Sequence, residues 1–245
     1  MDYKLLDNYV SKLTQDQEKF LNSLTTNELD KPVNAFLDKL GKLIVLVYQL
    51  KKKDAIYLSI PNKYEQQLNQ HLQPYLRLSK VKMEKTNLKA VHIVPEKEEE
   101  EIGTLIIQQN IGYITLLENV DQLKHLKEVS EEEYKKIRLE NNLPSQGIDF
   151  NNEMFLEVNI PEAISYTKGC YLGQEIIARV HHKSKPSKIL TRILYPELPK
   201  DLKVTSHQEE IGAIKSSCYS EKFNGHLCFA KIKNDDKEID DGERV

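Results

Sequence analysis

The chain has 245 residues, a net charge of −3, 39% hydrophobic residues and 30% charged ones. This is enough apolar material for one large domain or two smaller ones, and no apolar run approaches the roughly 20 residues a membrane helix needs. Three widely spaced cysteines, Cys170, Cys218 and Cys228, do not form a disulfide framework and fit a reducing compartment. Residues 1–10 carry Asp2 and Asp7 and lack an apolar stretch, so they do not read as a leader; the expected location is cytoplasmic.

Taken in order, residues 14–17 have capping-box spacing, with Thr14 as N-cap and Gln17 three residues on. Phe20, Leu21 and Leu24 then share a helical face. Residues 43–48 read as a buried strand after Gly41, and residues 55–60 as a second. Tyr64, Leu68, Leu72, Tyr75 and Leu76 predict a helix that Pro74 kinks or ends early. Residues 96–101 hold five acids and one lysine and read as a solvated loop. Residues 91–94, 104–107 and 111–117 are strand candidates, the last two split by a turn at Asn110. Val120, Leu123 and Val129 suggest a short helix. Ser130 and Glu133 form a second capping box, opening a helix that stops near Asn141 and Asn142, before Pro144. Residues 189–232 alternate short apolar runs with turn signals at Pro196, Pro199, Gly212 and Asn224-Gly225, which predicts a small barrel or half-barrel. Residues 234–245 carry −4, leaving +1 on the rest, and are expected to be a disordered tail.

One block is strongly basic. Lys168, Arg179, Lys183, Lys185, Lys188 and Arg192 stand against a single acid, Glu175, between residues 166 and 192. Gly173 can cap a helix from Gln174 to about His182, with Ile176, Ile177 and Val180 facing inward and Glu175 and Arg179 as an i,i+4 pair. Cys170 lies just before that helix and two residues from Lys168, and both neighbours favour thiolate over thiol. A packing cysteine and a functional thiol both fit the residues alone. Cys218 and Cys228 lie on strand-like segments and read as structural.

The string Lys168-Gly169-Cys170-Tyr171-x-Gly173-Gln174-Glu175, with Arg179 after it, resembles the signature of YgfZ-type proteins, relatives of the glycine-cleavage T-protein. Residues 20–29, 35–43, 138–149 and 210–217 are similar to further segments of that family. The resemblance implies an α+β, T-protein-like (GcvT-like) fold with a small C-terminal β-barrel. It divides the chain into a folate-binding region at 1–187, a barrel module at 188–233 and the acidic tail at 234–245. It implies tetrahydrofolate, or another reduced folate, as the ligand. Iron–sulfur enzymes or cluster assembly proteins are the implied partners, with a supporting role in tRNA modification. Asn27, Glu140, Gln146 and Asp149 are the implied polar contacts to the pterin, and Lys168, Arg179 and Lys183 those to the anionic tail. Cys170 is the implied functional thiol. In the T-protein an acid follows the glycine turn near the early strand, whereas here Gly41 is followed by Lys42-Leu43-Ile44-Val45-Leu46. Without a carboxylate there, aminomethyl transfer is not expected. A folate-dependent one-carbon transferase or demethylase, and a non-folate RNA- or protein-interaction module, are the alternatives.

Other chemistry finds little support. Adjacent His181 and His182 do not converge on one metal, so no metal site is expected. Phosphate-loop, dinucleotide and serine-hydrolase motifs are missing. The basic block lacks interleaved aromatics beyond Tyr166 and Tyr171, so direct nucleic-acid binding is not expected.

Overall fold

The structure, a computed structural model, describes residues 1–95, 101–183, 185–235 and 237–245, with only the backbone of Lys183. Most of the acidic run at 96–101 and the Lys183 side chain therefore lie outside the described residues. The chain divides into two compact units, each discontinuous: Met1–Ser130 with Pro161–Gln174, and Glu131–Ile160 with Glu175–Val245.

The first unit opens with β1 (Asp2–Leu5), β2 (Asn8–Thr14), α1 (Gln17–Asn22), β3 (Val33–Leu37), β4 (Leu43–Lys51), β5 (Ile56–Pro61) and α2 (Glu65–Arg77). It continues with β6 (Lys82–Lys85), β7 (Lys89–Val94), β8 (Ile106–Gln108), β9 (Tyr113–Leu117) and β10 (Lys127–Glu128). Two five-stranded sheets result, ordered β3-β4-β5-β2-β6 and β10-β1-β7-β9-β8. Successive side chains of a strand point to opposite faces, and β5 uses both. Ile56, Leu58 and Ile60 join Val45 and Val47 of β4 and Leu68 and Leu72 of α2 in one core cluster. Tyr57 joins a second cluster with Val10, Ala90 and Ile114, drawn from both sheets. The first sheet is thus packed between a helix and the second sheet.

Three local expectations change here. Thr14 is no helix cap: it ends β2 and pairs with Lys82 of β6. Residues 8–14 run as an inner strand between β5 and β6, so their backbone is committed to the ladder. Gln15 and Asp16 then turn through left-handed backbone (φ 63° and 58°) into α1, with no side-chain cap bond. Pro74 does not end α2, which runs on to Arg77. Proline removes one backbone bond and crowds the carbonyl four residues back. The buried face of Leu68 and Leu72, backed by Tyr75 and Leu76, holds the helix across it. Residues 120–123 form a 3-10 turn and Val129 lies beyond it, after β10.

The second unit contains α3 (Glu131–Glu140), α4 (Phe155–Val158), α5 (Gln174–Lys183, from its second residue on), β11 (Lys188–Tyr195), β12 (Lys203–Ser206), β13 (Glu209–Ser220), β14 (Gly225–Lys233) and β15 (Glu243–Arg244). The α3 helix stops where expected, with Asn142 in left-handed backbone two residues beyond it. The strands form a curled half-barrel sheet, β12-β13-β14-β11-β15. Its core is Ile193, Tyr195, Val204, Ile211, Ile214, Cys228, Ala230 and Ile232. A two-residue hairpin joins β12 to β13, and both its residues, His207 and Gln208, take positive φ.

The expected boundary at residue 187 is not where the chain divides. Residues 131–160 belong with the half-barrel, because Arg192 of β11 donates to Leu139 O and Glu140 O at 3.0 and 2.9 Å, capping α3. Asn159 likewise donates to Leu190 O at 3.1 Å. The acidic tail is also ordered where described. Glu243 and Arg244 pair with Leu194 and Ile193 of β11. The Asp240 carboxylate accepts the backbone N–H groups of His207 and Gln208, each at 2.9 Å, and Asp240 N donates to Thr205 O of β12. The tail therefore links β11 and β12, since Asp240 meets backbone donors of the β12–β13 hairpin and Glu243 and Arg244 pair with β11.

Candidate functional site

The signature lies at the end of the first unit, on a turn fastened at three points. Leu172 N–H donates to Ser23 O at 3.0 Å, beside α1. The Lys168 ammonium donates to Thr25 O at 2.8 Å and Asn27 O at 2.7 Å, lying 5.5 Å from the Tyr171 ring centroid. Gly173 has φ +87°, and a Cβ there would stand 2.6 Å from Asp38 O in the β3–β4 hairpin. Left-handed backbone and close approach both require glycine at that position. Gln174 closes the turn: its Oε1 accepts Tyr171 N–H at 3.0 Å, and its own N–H donates to Tyr171 O at 3.2 Å. Tyr171 is buried, and its burial, with Tyr166 adding, pushes the phenol up to about 12.

Between these anchors Cys170 is exposed. Gly169 has neither a positive φ nor any atom within 4 Å of an added Cβ, so it is not required there for space. The reading of Cys170 as a buried packing residue is therefore wrong. The expected partnership with Lys168 takes another form, because the ammonium is bound to two carbonyls. Burial pulls Lys168 down to about 8, with Glu28 acting against that shift.

The other thiols behave as structural groups. Burial raises Cys228 to about 12, with Cys218 adding. Burial also raises Cys218, with Glu140 adding. A raised pKa leaves less thiolate, the reactive form, at pH 8. Iodoacetamide at pH 8 is expected to alkylate Cys170 about tenfold or more faster than either, read by peptide mass spectrometry on the folded protein. Equal rates at the three cysteines would contradict this.

Asn27 is buried and its side chain is fully used. Its amide donates to Val33 O at 3.0 Å and Glu162 O at 2.7 Å, and its Oδ1 accepts Glu28 N–H at 2.9 Å. Thr26 Oγ1 donates to Ala163 O at 2.6 Å. Two buried amides missed in the sequence complete this network. Asn34 of β3 accepts Asn27 N–H at 2.7 Å and donates to Asn27 O at 3.0 Å. Gln49 of β4 accepts from Asn34 at 3.3 Å and donates to Glu28 O and Lys31 O, both at 2.9 Å. The available signal was an amide inside each apolar strand, because a buried polar group needs partners. Asp38 was also missed. It precedes Gly41 by three residues, and its Oδ1 caps the hairpin by accepting Leu40 and Lys42 N–H at 2.8 and 3.0 Å. The strand after Gly41 presents no acid: Leu43, Ile44, Val45 and Val47 are buried and apolar.

The remaining candidates lie in the second unit. Asp149 is buried and accepts from Arg138 Nη1 at 2.8 Å, Ser145 N–H at 2.7 Å and the Ser216 hydroxyl. Glu140 accepts from the Ser220 hydroxyl at 2.6 Å. Both acids thus meet serines of β13. Gln146 is half-buried beside them in sequence and bridges to Phe150. On α5, Ile177 is buried while Ile176 and Val180 are half-buried. Glu175 and Arg179 are exposed and form no ion pair with each other. His181 and His182 are exposed with ring centroids 5.0 Å apart, and no cluster of three metal-ligating side chains occurs among the described residues.

Two β-sheets with a covering helix, followed by a half-barrel carrying its own helix, define a protein of T-protein-like fold. The structure of glycine cleavage system aminomethyltransferase T from Bartonella henselae is similar with a TM-score of 0.75, over 95% of this chain and 78% of that one, at 10% identity. No protein-family model matches the chain, and no curated protein matches it. No helix among the described residues is long and apolar enough to cross a membrane.

Proposed function

We propose that this protein binds a reduced folate and supports the assembly or repair of iron–sulfur clusters in client enzymes through Cys170, without transferring an aminomethyl group. The observation that carries the reading is an exposed thiol on a turn held at both ends, set within a T-protein-like fold. Free cysteine is among the most buried residue types, so exposure on an anchored turn favours chemistry over packing. The resemblance of residues 168–175 to the YgfZ-type signature supplies the cluster-related role.

Glu140 and Arg179 are proposed as folate contacts, with Gln146 on the strength of the resemblance. Glu140 uses one oxygen on Ser220, and Arg179 is exposed. Asn27, Asp149 and Lys168 act indirectly, each by holding the fold of its own unit, because their polar atoms already hold backbone or buried partners. The apolar strand after Gly41 supports the lack of transfer, since no carboxylate stands there to act on a folate nitrogen.

Calorimetry with tetrahydrofolate tests the first half. Binding is expected at micromolar to millimolar ligand, with no methylene-tetrahydrofolate formed when an aminomethylated lipoyl carrier is added. No binding at millimolar tetrahydrofolate would point to an interaction module without folate. Turnover would point to a one-carbon transferase.

A further inference from the structure

We infer that Lys168 is the positioning residue for Cys170, and that a buried amide relay, Gln49 to Asn34 to Asn27, aims the carbonyl that holds it. The inference rests on Cys170 being the working thiol of the proposed function. A lysine in a surface turn ordinarily turns its ammonium to water. Here the side chain folds back, half-buried, onto two carbonyls at charge-assisted hydrogen-bond length. The turn that presents Cys170 is thereby tied to the segment 25–27.

That acceptor is itself fixed. Asn27 O takes a second bond from Asn34 Nδ2, and Asn34 Oδ1 returns a bond from Asn27 N–H, so the two residues are doubly linked. Asn34 is fully buried and Gln49 nearly so, 0% and 2% exposed. The Gln49 amide grips Glu28 O and Lys31 O from the other side. Amides at inward strand positions lower the apolar content of a core, and a fully satisfied network of this kind specifies one geometry. The charged and titratable groups around the ammonium are Glu28, whose carboxylate accepts from Ser165 in the same turn, and Tyr171, on which Tyr166 acts in turn. A lysine that only stabilised the fold would have no reason to act on this turn more than elsewhere. The positioning role predicts a local effect.

Hydrogen exchange on the full chain reads that difference. In Lys168→Met the bonded amides of Tyr171 and Leu172 are expected to exchange about tenfold or more faster, at least the size of losing one charge-assisted bond. Exchange in α2 and β5 should be unchanged. Lys168→Arg, which keeps a cation able to span two carbonyls, is expected to restore most of the protection. Gln49→Leu should loosen the same turn from a distance. Unchanged exchange at Tyr171 and Leu172 in Lys168→Met, or an equal rise throughout the first unit, overturns the inference. If Lys168→Met does not fold, the two other variants decide: the inference fails if Lys168→Arg exchanges like wild type while Gln49→Leu leaves the turn untouched. Exchange does not depend on what Cys170 does, so the outcome stands apart from the cluster-support proposal. Rescue of client enzymes should then fall in Lys168→Met and persist in Lys168→Arg.

Discussion

Replacing Cys170 with serine is expected to abolish rescue of iron–sulfur enzyme activity in cells lacking the protein, while leaving folding and folate binding close to normal. The side chain is exposed. A substitution at such a position changes stability by about 0.5 kcal/mol or less, which shifts the melting temperature of a chain this size by roughly 1–2 °C. The turn itself should survive, because its anchors are Lys168, Leu172, Gly173 and Gln174 rather than the sulfur. Cys218→Ser and Cys228→Ser are the controls. Cys228 is fully buried in the half-barrel core, so Cys228→Ser buries a hydroxyl and costs about 1–3 kcal/mol. Function in that variant should fall only as far as stability does. If Cys170→Ser rescues as well as the unmodified protein, the thiol has no role and the signature serves to shape the turn.

The largest stability effect is expected at Asp149. Its carboxylate is buried, 1% exposed, and collects the Arg138 guanidinium, the Ser145 N–H and the Ser216 hydroxyl. Arg138, itself buried, also donates to Leu143 O at 3.0 Å. Removing one member of a buried ion pair leaves the other charge without compensation and costs about 3–5 kcal/mol. Asp149→Ala should therefore unfold at much lower urea, read as a fall in the midpoint at unchanged slope. Pairing it with Arg138→Met should recover part of the loss, because the unpaired charge is then gone. A loss under about 1 kcal/mol would mean that Asp149 is not a structural partner of Arg138. Its proposed indirect role would then give way to direct folate contact, visible in calorimetry.

Much of the scaffold was legible from local pattern. The apolar run after Gly41 became β4, and the alternation of Ile56, Leu58 and Ile60 became β5. The spacing of Leu68, Leu72, Tyr75 and Leu76 became α2. Of the turn signals after residue 189, Pro196, Pro199 and Asn224-Gly225 fall at connections of the half-barrel, while Gly212 lies inside β13 and pairs on both sides. Hydrophobic periodicity reports which face is buried, and that depends on neighbours a few residues away. The signature turn was also visible, because it occupies one continuous stretch. No element was assigned before Thr14, itself read as a helix cap, yet residues 2–5 and 8–14 form β1 and β2, and β2 lies inside a sheet. Its strand pattern, with Tyr9, Val10, Ser11 and Leu13 all buried, matches neither a clean alternation nor a helix.

The details of the site depended on groups far apart in the chain. Lys168 meets carbonyls 141 and 143 residues away, and Asp149 meets Ser216 67 residues away. No spacing rule links such partners, and the sequence therefore placed Asn27 and Asp149 as ligand contacts when their polar atoms were already engaged. The same holds for the tail. Composition alone makes residues 234–245 a repelling acidic segment, but His207 and Gln208 aim two backbone donors at Asp240, and β11 offers an open edge to Glu243 and Arg244. Local sequence determined which segments were strand, helix or turn, because propensity and burial act over a few residues. Tertiary packing decided which polar groups hold the structure and which thiol meets solvent, because hydrogen bonds and charges are satisfied by whatever the fold brings within about 3 Å.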